Sequence, residues 1–267
     1  MLKPLFKRIL GPKNWQNLKA LFGRVLLEEV EIVYEALIGY QTSKVMIDVG
    51  AHSGSSLELF AEEGWKVFGF EPDPKNREKL LDLCTKYTNV IIDSRAVSDS
   101  NKKNLPFFTS EVSTGISSLS SFHESHKEAT TVNTVTLDVF CKDKGIEDVT
   151  FLKIDTEGYD LFVLKGVNWK IMQPDVILCE FEDRKTMPLG YDFHDLATYL
   201  QDQGYELIVS EWFPMVEYGM KHKWRQFENY PCELKDQKAW GNIIAVKDST
   251  LKADIMAITY KYAKRFG

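Results

Sequence analysis

Hydrophobic positions along the chain follow two periods. Residues 45–49, 66–70, 89–92, 149–154, 174–182, 205–210 and 240–246 are short, apolar, β-branched runs bounded by glycine, proline or polar residues. Such runs mark strands buried on both faces, as in a parallel sheet. Between them apolar residues recur at helical spacing, over 26–38, 55–63, 74–87, 137–144, 159–165, 193–203 and 251–266. Gly145, Gly166 and Gly204 serve as stop signals. Segments 105–109 and 131–136 are also extended, and the polar stretch 113–121 between them is a loop of functional or mobile character. The alternation predicts an α/β fold with a doubly wound, mostly parallel seven-stranded sheet. Ligands of such sheets bind beyond the carboxyl ends of the strands.

The ends of the chain differ from its middle. Lys3, Lys7, Arg8, Lys13, Lys19 and Arg24 all precede the first acidic residue, Glu28, and are interleaved with Leu2, Phe6, Trp15 and Phe22. Residues 1–40 therefore read as a basic helical extension. It is either a lid on the core or a peripheral membrane contact made through residues 1–24. Residues 41–248 form the predicted domain, 249–267 a terminal helix, and 211–239 an aromatic insert. The insert carries Trp212, Phe213, Tyr218, Trp224, Phe227 and Tyr230, rings that either cap the sheet edge or stack on a sugar.

Composition narrows the partners. The 267 residues carry a net charge of −6, which argues against nucleic acid, whose binders show a basic excess. Four cysteines, Cys84, Cys141, Cys179 and Cys232, stand far apart without a Cys-x-x-Cys pair, so they are expected as free thiols in a reducing, cytoplasmic setting. No apolar run approaches the ~20 residues of a membrane span, and the start lacks the apolar core of a signal peptide. The expectation is a soluble protein of undetermined oligomeric state.

The candidate chemistry begins at the first strand. Val45-Met-Ile-Asp-Val-Gly-Ala-His-Ser-Gly54 is strand, glycine turn and helix start, and the second strand ends on Glu71-Pro72. A helix N-terminus beside such a turn presents free N–H groups, and a strand-tip acid is where ribose hydroxyls are held. His52 stands where a dinucleotide fingerprint needs its middle glycine, and Asp48 would repel a pyrophosphate but suits an ammonium or sulfonium. Residues 95–99 form the strand-end loop expected near an adenine. A second strand of interest runs into Asp155-Thr-Glu157-Gly158, and a third ends on Glu180-Phe-Glu182.

The set Ile47-Asp-Val-Gly-Ala-His-Ser-Gly54, Phe70-Glu-Pro72, Ala96-Val-Ser-Asp99, Thr114-Gly-Ile-Ser-Ser-Leu119 and Leu152-Lys-Ile-Asp-Thr-Glu-Gly158, closed by Leu164-Lys-Gly166, resembles the FkbM family of S-adenosylmethionine-dependent methyltransferases. The resemblance implies a class I methyltransferase, Rossmann-like fold and S-adenosylmethionine as cofactor. It also implies O-methylation of a hydroxyl on a saccharide, glycolipid or polysaccharide precursor, or else on a polyketide. Asp48, Gly50, His52, Gly54, Glu71, Pro72, Ala96 and Asp155 are then the cofactor-binding candidates. Asp155, Glu157 and Glu180 are the catalytic candidates, because an alcohol attacks only as a base takes its proton. Asp155 could instead position the cofactor ammonium, and Glu157 could complement the dipole of the following helix. The three acids could also hold a hard cation, but no metal is assigned. His123 and His126, three apart, would share one helix face and default to surface residues. The rivals are a nicotinamide-dependent oxidoreductase, which NADH titration would reveal, and a non-catalytic binding module, which would bind cofactor without turnover.

Overall fold

The structure, a computed structural model, describes residues 29–111, 114–215 and 222–266. The basic stretch 1–24 and Tyr218 lie outside the described residues. Within them the sheet comprises β1 (Val45–Val49), β2 (Lys66–Phe70), β3 (Val90–Asp93), β4 (Phe151–Ile154), β5 (Val176–Glu182), β6 (Glu206–Trp212), β7 (Trp224–Asn229) and β8 (Trp240–Val246). Its spatial order is β7-β6-β8-β5-β4-β1-β2-β3. Pairing is parallel from β3 through β5 and antiparallel from β5 through β8 and β6 to β7.

The predicted seven strands are all present, and β7 adds an eighth from within the aromatic insert. Its run Trp-Arg-Gln-Phe-Glu-Asn lacks a clean period of two, because an edge strand buries only part of one face. Two short pairs lie outside the sheet. Ala96–Val97 pairs with Thr134–Val135, and Leu105–Thr109 with Lys127–Val132.

The helices are α1 (Glu29–Leu37), α2 (Ser55–Glu62), α3 (Pro74–Lys86), α4 (Leu137–Lys144), α5 (Asp160–Lys165), α6 (Asp183–Thr186), α7 (Phe193–Asp202) and α8 (Ser249–Phe266). Alternate strand residues feed two cores. Ile47, Val49, Phe68, Phe70, Ile177 and Cys179 pack with α4, α5 and α7, while Met46, Val67, Phe151, Val176 and Leu178 pack with α1, α2 and α8. Local signals set the ends. Asp73 caps α3 by accepting from Lys75 N at 2.8 Å, ahead of Pro74, and left-handed Gly145 (φ 62°) terminates α4. Glu29 of α1, buried and pushed upward in pKa by that burial, accepts from Ser210 Oγ at 2.5 Å and Trp212 Nε1 at 2.8 Å. That carboxylate locks α1 onto β6.

Strand order reverses at β1, which has β2 on one side and β4 on the other. The crossovers through α2 and α3 and those through α4 and α5 cover opposite faces. The crevice at the carboxyl ends of β1 and β4 is thus the switch point where doubly wound sheets hold ligands. All four cysteines are free, with Cys141 and Cys179 buried as expected.

Candidate active site

The turn after β1 explains its two glycines. Gly50 (φ 88°) is left-handed, and a Cβ there would stand 1.9 Å from the Asp155 carbonyl oxygen. Only glycine lets the β1 turn close against the tip of β4. Gly54 (φ 81°) opens α2 without a side-chain cap, and a Cβ there would meet Leu80 Cδ2 at 2.7 Å and Leu83 Cδ2 at 2.9 Å. Between them His52 also has a positive φ, 49°, and its backbone N–H donates to Glu71 Oε2 at 2.8 Å. Glu71 is 4% exposed, and its other oxygen accepts from Asp73 N at 2.8 Å. Burial outweighs those two bonds and pushes the Glu71 carboxyl up to about 7. Burial also lowers the His52 imidazole, helped by the Lys79 ammonium.

Other cofactor candidates occupy different settings. Asp48 is fully buried, where Ser56 Oγ donates to its carboxylate and Lys153 Nζ lies 3.2 Å away. Lys153 also stands 3.4 Å from Asp155 Oδ2, linking the Asp48 carboxylate to the crevice. Burial raises the Asp48 carboxyl above its usual range. Pro72 is half-buried, and its carbonyl accepts from Arg77 Nη1 at 2.6 Å. Ala96 is buried in the short pair outside the main sheet, its N–H donating to Asn133 O at 3.0 Å.

The three catalytic candidates do converge. Asp155 follows β4, is held by its N–H to Val49 O at 2.9 Å, and keeps a side chain 44% exposed. Carboxylate oxygens of Asp155, Glu157 and Glu180 lie within 4.8 Å of one another. Their route differs from the extended spacing expected: β4 ends at Ile154, and left-handed Glu157 (φ 56°) folds back beside Asp155. Nor does Glu157 serve α5 as an N-terminal acid, since its Oε2 lies 2.7 Å from Lys185 Nζ. Buried Asp160 stands in the first turn of α5, accepting from Glu180 N at 3.1 Å and Thr156 Oγ1 at 2.8 Å. Burial raises three of these carboxyls, Glu157 to about 7, Asp160 to about 6, and Glu180 well above the carboxylate range.

Residues 114–121, the described part of the serine-rich loop predicted over 113–121, span the crevice. Ser117 Oγ donates to Asp73 Oδ2 at 2.9 Å, just beyond β2. Ser118 Oγ lies 3.3 Å from the carbonyls of Thr156 and Glu157, just beyond β4. His123 and His126 do not share a helix face. Their ring centroids are 6.1 Å apart in an irregular segment, and His126 Nε2 donates to Ile116 O at 2.9 Å. The described part of the aromatic insert packs mainly as a cap, with Trp212 stacked on Trp240 and Trp224 Nε1 bonded to Ser210 Oγ.

Lys153, Lys185, Asp160, Asp73 and Ser118 carry much of this architecture and received no role from the sequence. A lysine inside the apolar run Phe-Leu-Lys-Ile was a usable signal, because a charge so placed needs partners. Lys185 gave none: Glu-Asp-Arg-Lys reads as a solvated charged turn.

Chemically, the rim gathers Asp48, Asp155, Glu157, Asp160, Glu180 and Glu182 around the ammonium groups of Lys153 and Lys185. An excess of carboxyls on this rim, with buried Glu71 at the tip of β2, fits a ligand bearing a positive charge and disfavours a diphosphate. Residues 48–207 match the methyltransferase FkbM domain. A hexuronic acid methyltransferase, AglP of Haloferax volcanii, is 24% identical over 183 residues, covering 67% of this chain. The chain spans 66% of that relative's length, just under two thirds. Among solved structures, a precorrin-6Y C5,15-methyltransferase from Geobacter metallireducens aligns at TM-score 0.41 and 16% identity, covering 82% of this chain and 88% of that one. A putative methyltransferase from Streptococcus mutans, solved with S-adenosylhomocysteine, aligns at TM-score 0.40 and 10% identity, covering 83% and 100%. No described helix is long and apolar enough to cross a membrane. With the domain accounting for most of the sheet and for every acid on its rim, the chain belongs to the FkbM methyltransferase domain family.

Proposed function

We propose that the protein methylates a hydroxyl of a saccharide, glycolipid or polysaccharide precursor, with Asp155 as the general base. The observation that carries this reading is the half-open Asp155 carboxylate at the switch-point crevice, with its backbone pinned to β1 and its side chain beside Lys153. When bound, S-adenosylmethionine supplies a methyl group on a sulfonium, ready for in-line displacement. Glu71 would hold the ribose hydroxyls, the Gly50–Gly54 turn would pass close beneath the ligand, and Ala96 and Pro72 would flank the adenine side. Asp155 would take the hydroxyl proton as that oxygen is methylated, and its exposed edge would return the proton to water. Glu157 and Glu180 would shape the acceptor side of the same cavity.

The saccharide half of the reading draws on the resemblance to a hexuronic acid methyltransferase. Exposed Phe213, with Arg225 Cζ 4.2 Å and Lys223 Nζ 4.9 Å from its ring centroid, is an aromatic surface on the same rim. Asp155→Asn keeps the shape and removes the base. It should lower kcat about 10²- to 10⁴-fold while S-adenosylmethionine affinity changes little, the range expected for losing a general base. Steady-state kinetics beside calorimetry checks this, and parallel losses in both would assign Asp155 to cofactor positioning instead.

A further inference from the structure

Lys185 opens an inference that the transfer reaction alone does not require. It lies in α6, directly after β5, and its side chain is 1% exposed. Its Nζ stands 2.7 Å from Glu157 Oε2, 2.9 Å from Glu180 Oε2 and 2.9 Å from Glu182 Oε2. Glu180 and Glu182, two apart on β5, share one face of the strand, and left-handed Glu157 closes the third side from the end of β4. The clamp continues in the backbone, where a Cβ on Gly158 would touch Lys185 Cβ at 3.2 Å. Phe122 adds its ring, centred 5.7 Å from the ammonium.

Taking an ammonium this far from water costs several kcal/mol, so the site must return that energy through its carboxylates. Two of those carboxylates, Glu157 and Glu180, belong to the trio with Asp155 whose oxygens fall within 4.8 Å of one another. Oxygens so gathered are what a hard divalent cation collects. Here a side chain of the protein already supplies the positive charge.

We propose that Lys185 is the resident cation of the acceptor side, standing where a divalent metal would otherwise bind and positioning Glu157 and Glu180 beside Asp155 for a metal-independent methyl transfer. Lys185 is a positioning residue, acting through its glutamates. The positioning half rests on the acceptor chemistry proposed above, whereas occupation of the cation place does not.

The test uses the full chain in two arms. In the first, calcium chloride is titrated calorimetrically into chelator-treated wild type, Lys185→Ala and Lys185→Ala/Glu180→Gln. Wild type should show no saturable binding, Lys185→Ala should gain one site with a dissociation constant on the order of 10⁻⁴ to 10⁻³ M, and the double variant should lose it. Stoichiometric calcium binding by wild type that Glu180→Gln abolishes would overturn the proposal. So would a folded Lys185→Ala that binds no calcium. Should Lys185→Ala not fold, the wild-type titration still decides. This arm needs no acceptor, so its failure is separable from failure of the proposed function.

In the second arm, Lys185→Met should lower kcat about 10- to 100-fold, with the KM for S-adenosylmethionine nearly unchanged. The acid limb of its kcat profile should move to higher pH, because its carboxylates have lost their counter-ion. A merely structural lysine would leave that limb in place, and activity of wild type that disappears with chelator and returns with magnesium would also refute the assignment.

Discussion

Glu71 ties the turn after β1 to the tip of β2, and if it holds the ribose as proposed, its environment gives cofactor binding a pH dependence. Burial raises its carboxyl to about 7 in the cofactor-free protein, although His52 N and Asp73 N both donate to it. Ribose hydroxyls are donors, so on the proposed reading the ligand prefers the ionised form. Affinity for S-adenosylmethionine should rise with pH up to about 7 and level off above it, falling at most about tenfold per unit below. Folding responds in the opposite sense. This group favours the cofactor-free fold most below its unfolded value of 4.5, and that contribution is lost as pH rises through about 7. Glu71→Gln should flatten the binding profile and weaken binding about 10- to 100-fold at pH 8, the worth of a hydrogen bond to a charged acceptor. Calorimetry across pH 5.5 to 8.5 measures both, and an unchanged profile would exclude Glu71 as a ribose ligand. The position of Glu71 at the strand tip was legible in the sequence, but the two backbone N–H groups that its carboxylate accepts were not. Asp48 is a different case. Its place was visible, but the contacts with Ser56 and Lys153 that occupy its carboxylate join residues from three elements.

Elements were read more completely than contacts, since helix and strand periods are local while pairings are not. The predicted helices lie within a few residues of α2 to α5, α7 and α8, the one-turn α6 went unread, and both glycines of the turn are left-handed as the motif required. Segment 224–229 escaped because an edge strand leaves only a weak alternation, and Glu157 was placed on an extended strand because nothing local announces a left-handed residue that is not glycine. Gly54 shows how a motif glycine also serves packing. Its absent Cβ makes room for Leu80 and Leu83 of α3 against the start of α2. Gly54→Ala should cost about 1–3 kcal/mol, from overpacking at a left-handed position. A urea unfolding midpoint lowered without a change in slope would confirm it, whereas a wild-type midpoint would mean that the α2–α3 contact relaxes freely.

At the scale of the molecule, the sheet places every acid of the site on one rim because β1 and β4 are neighbours with crossovers on opposite faces. That arrangement followed from the order of strands and helices in the sequence. The counter-ions did not: Lys153 and Lys185 reach their carboxylates only once β1, β4 and β5 lie side by side. The proposed saccharide acceptor is the feature on which the account makes its sharpest claim, because a sugar that carries a carboxylate offers two kinds of oxygen. A hydroxyl needs a base such as Asp155, and a carboxylate needs none. The most direct measurement supplies S-adenosylmethionine carrying a ¹³C-methyl group, with uronate-bearing oligosaccharides as acceptors, and follows the label by NMR before and after mild alkali. The account predicts an alkali-stable methyl ether on a sugar hydroxyl that Asp155→Asn no longer forms at a comparable rate. An alkali-labile methyl ester, formed equally well by Asp155→Asn, would contradict it.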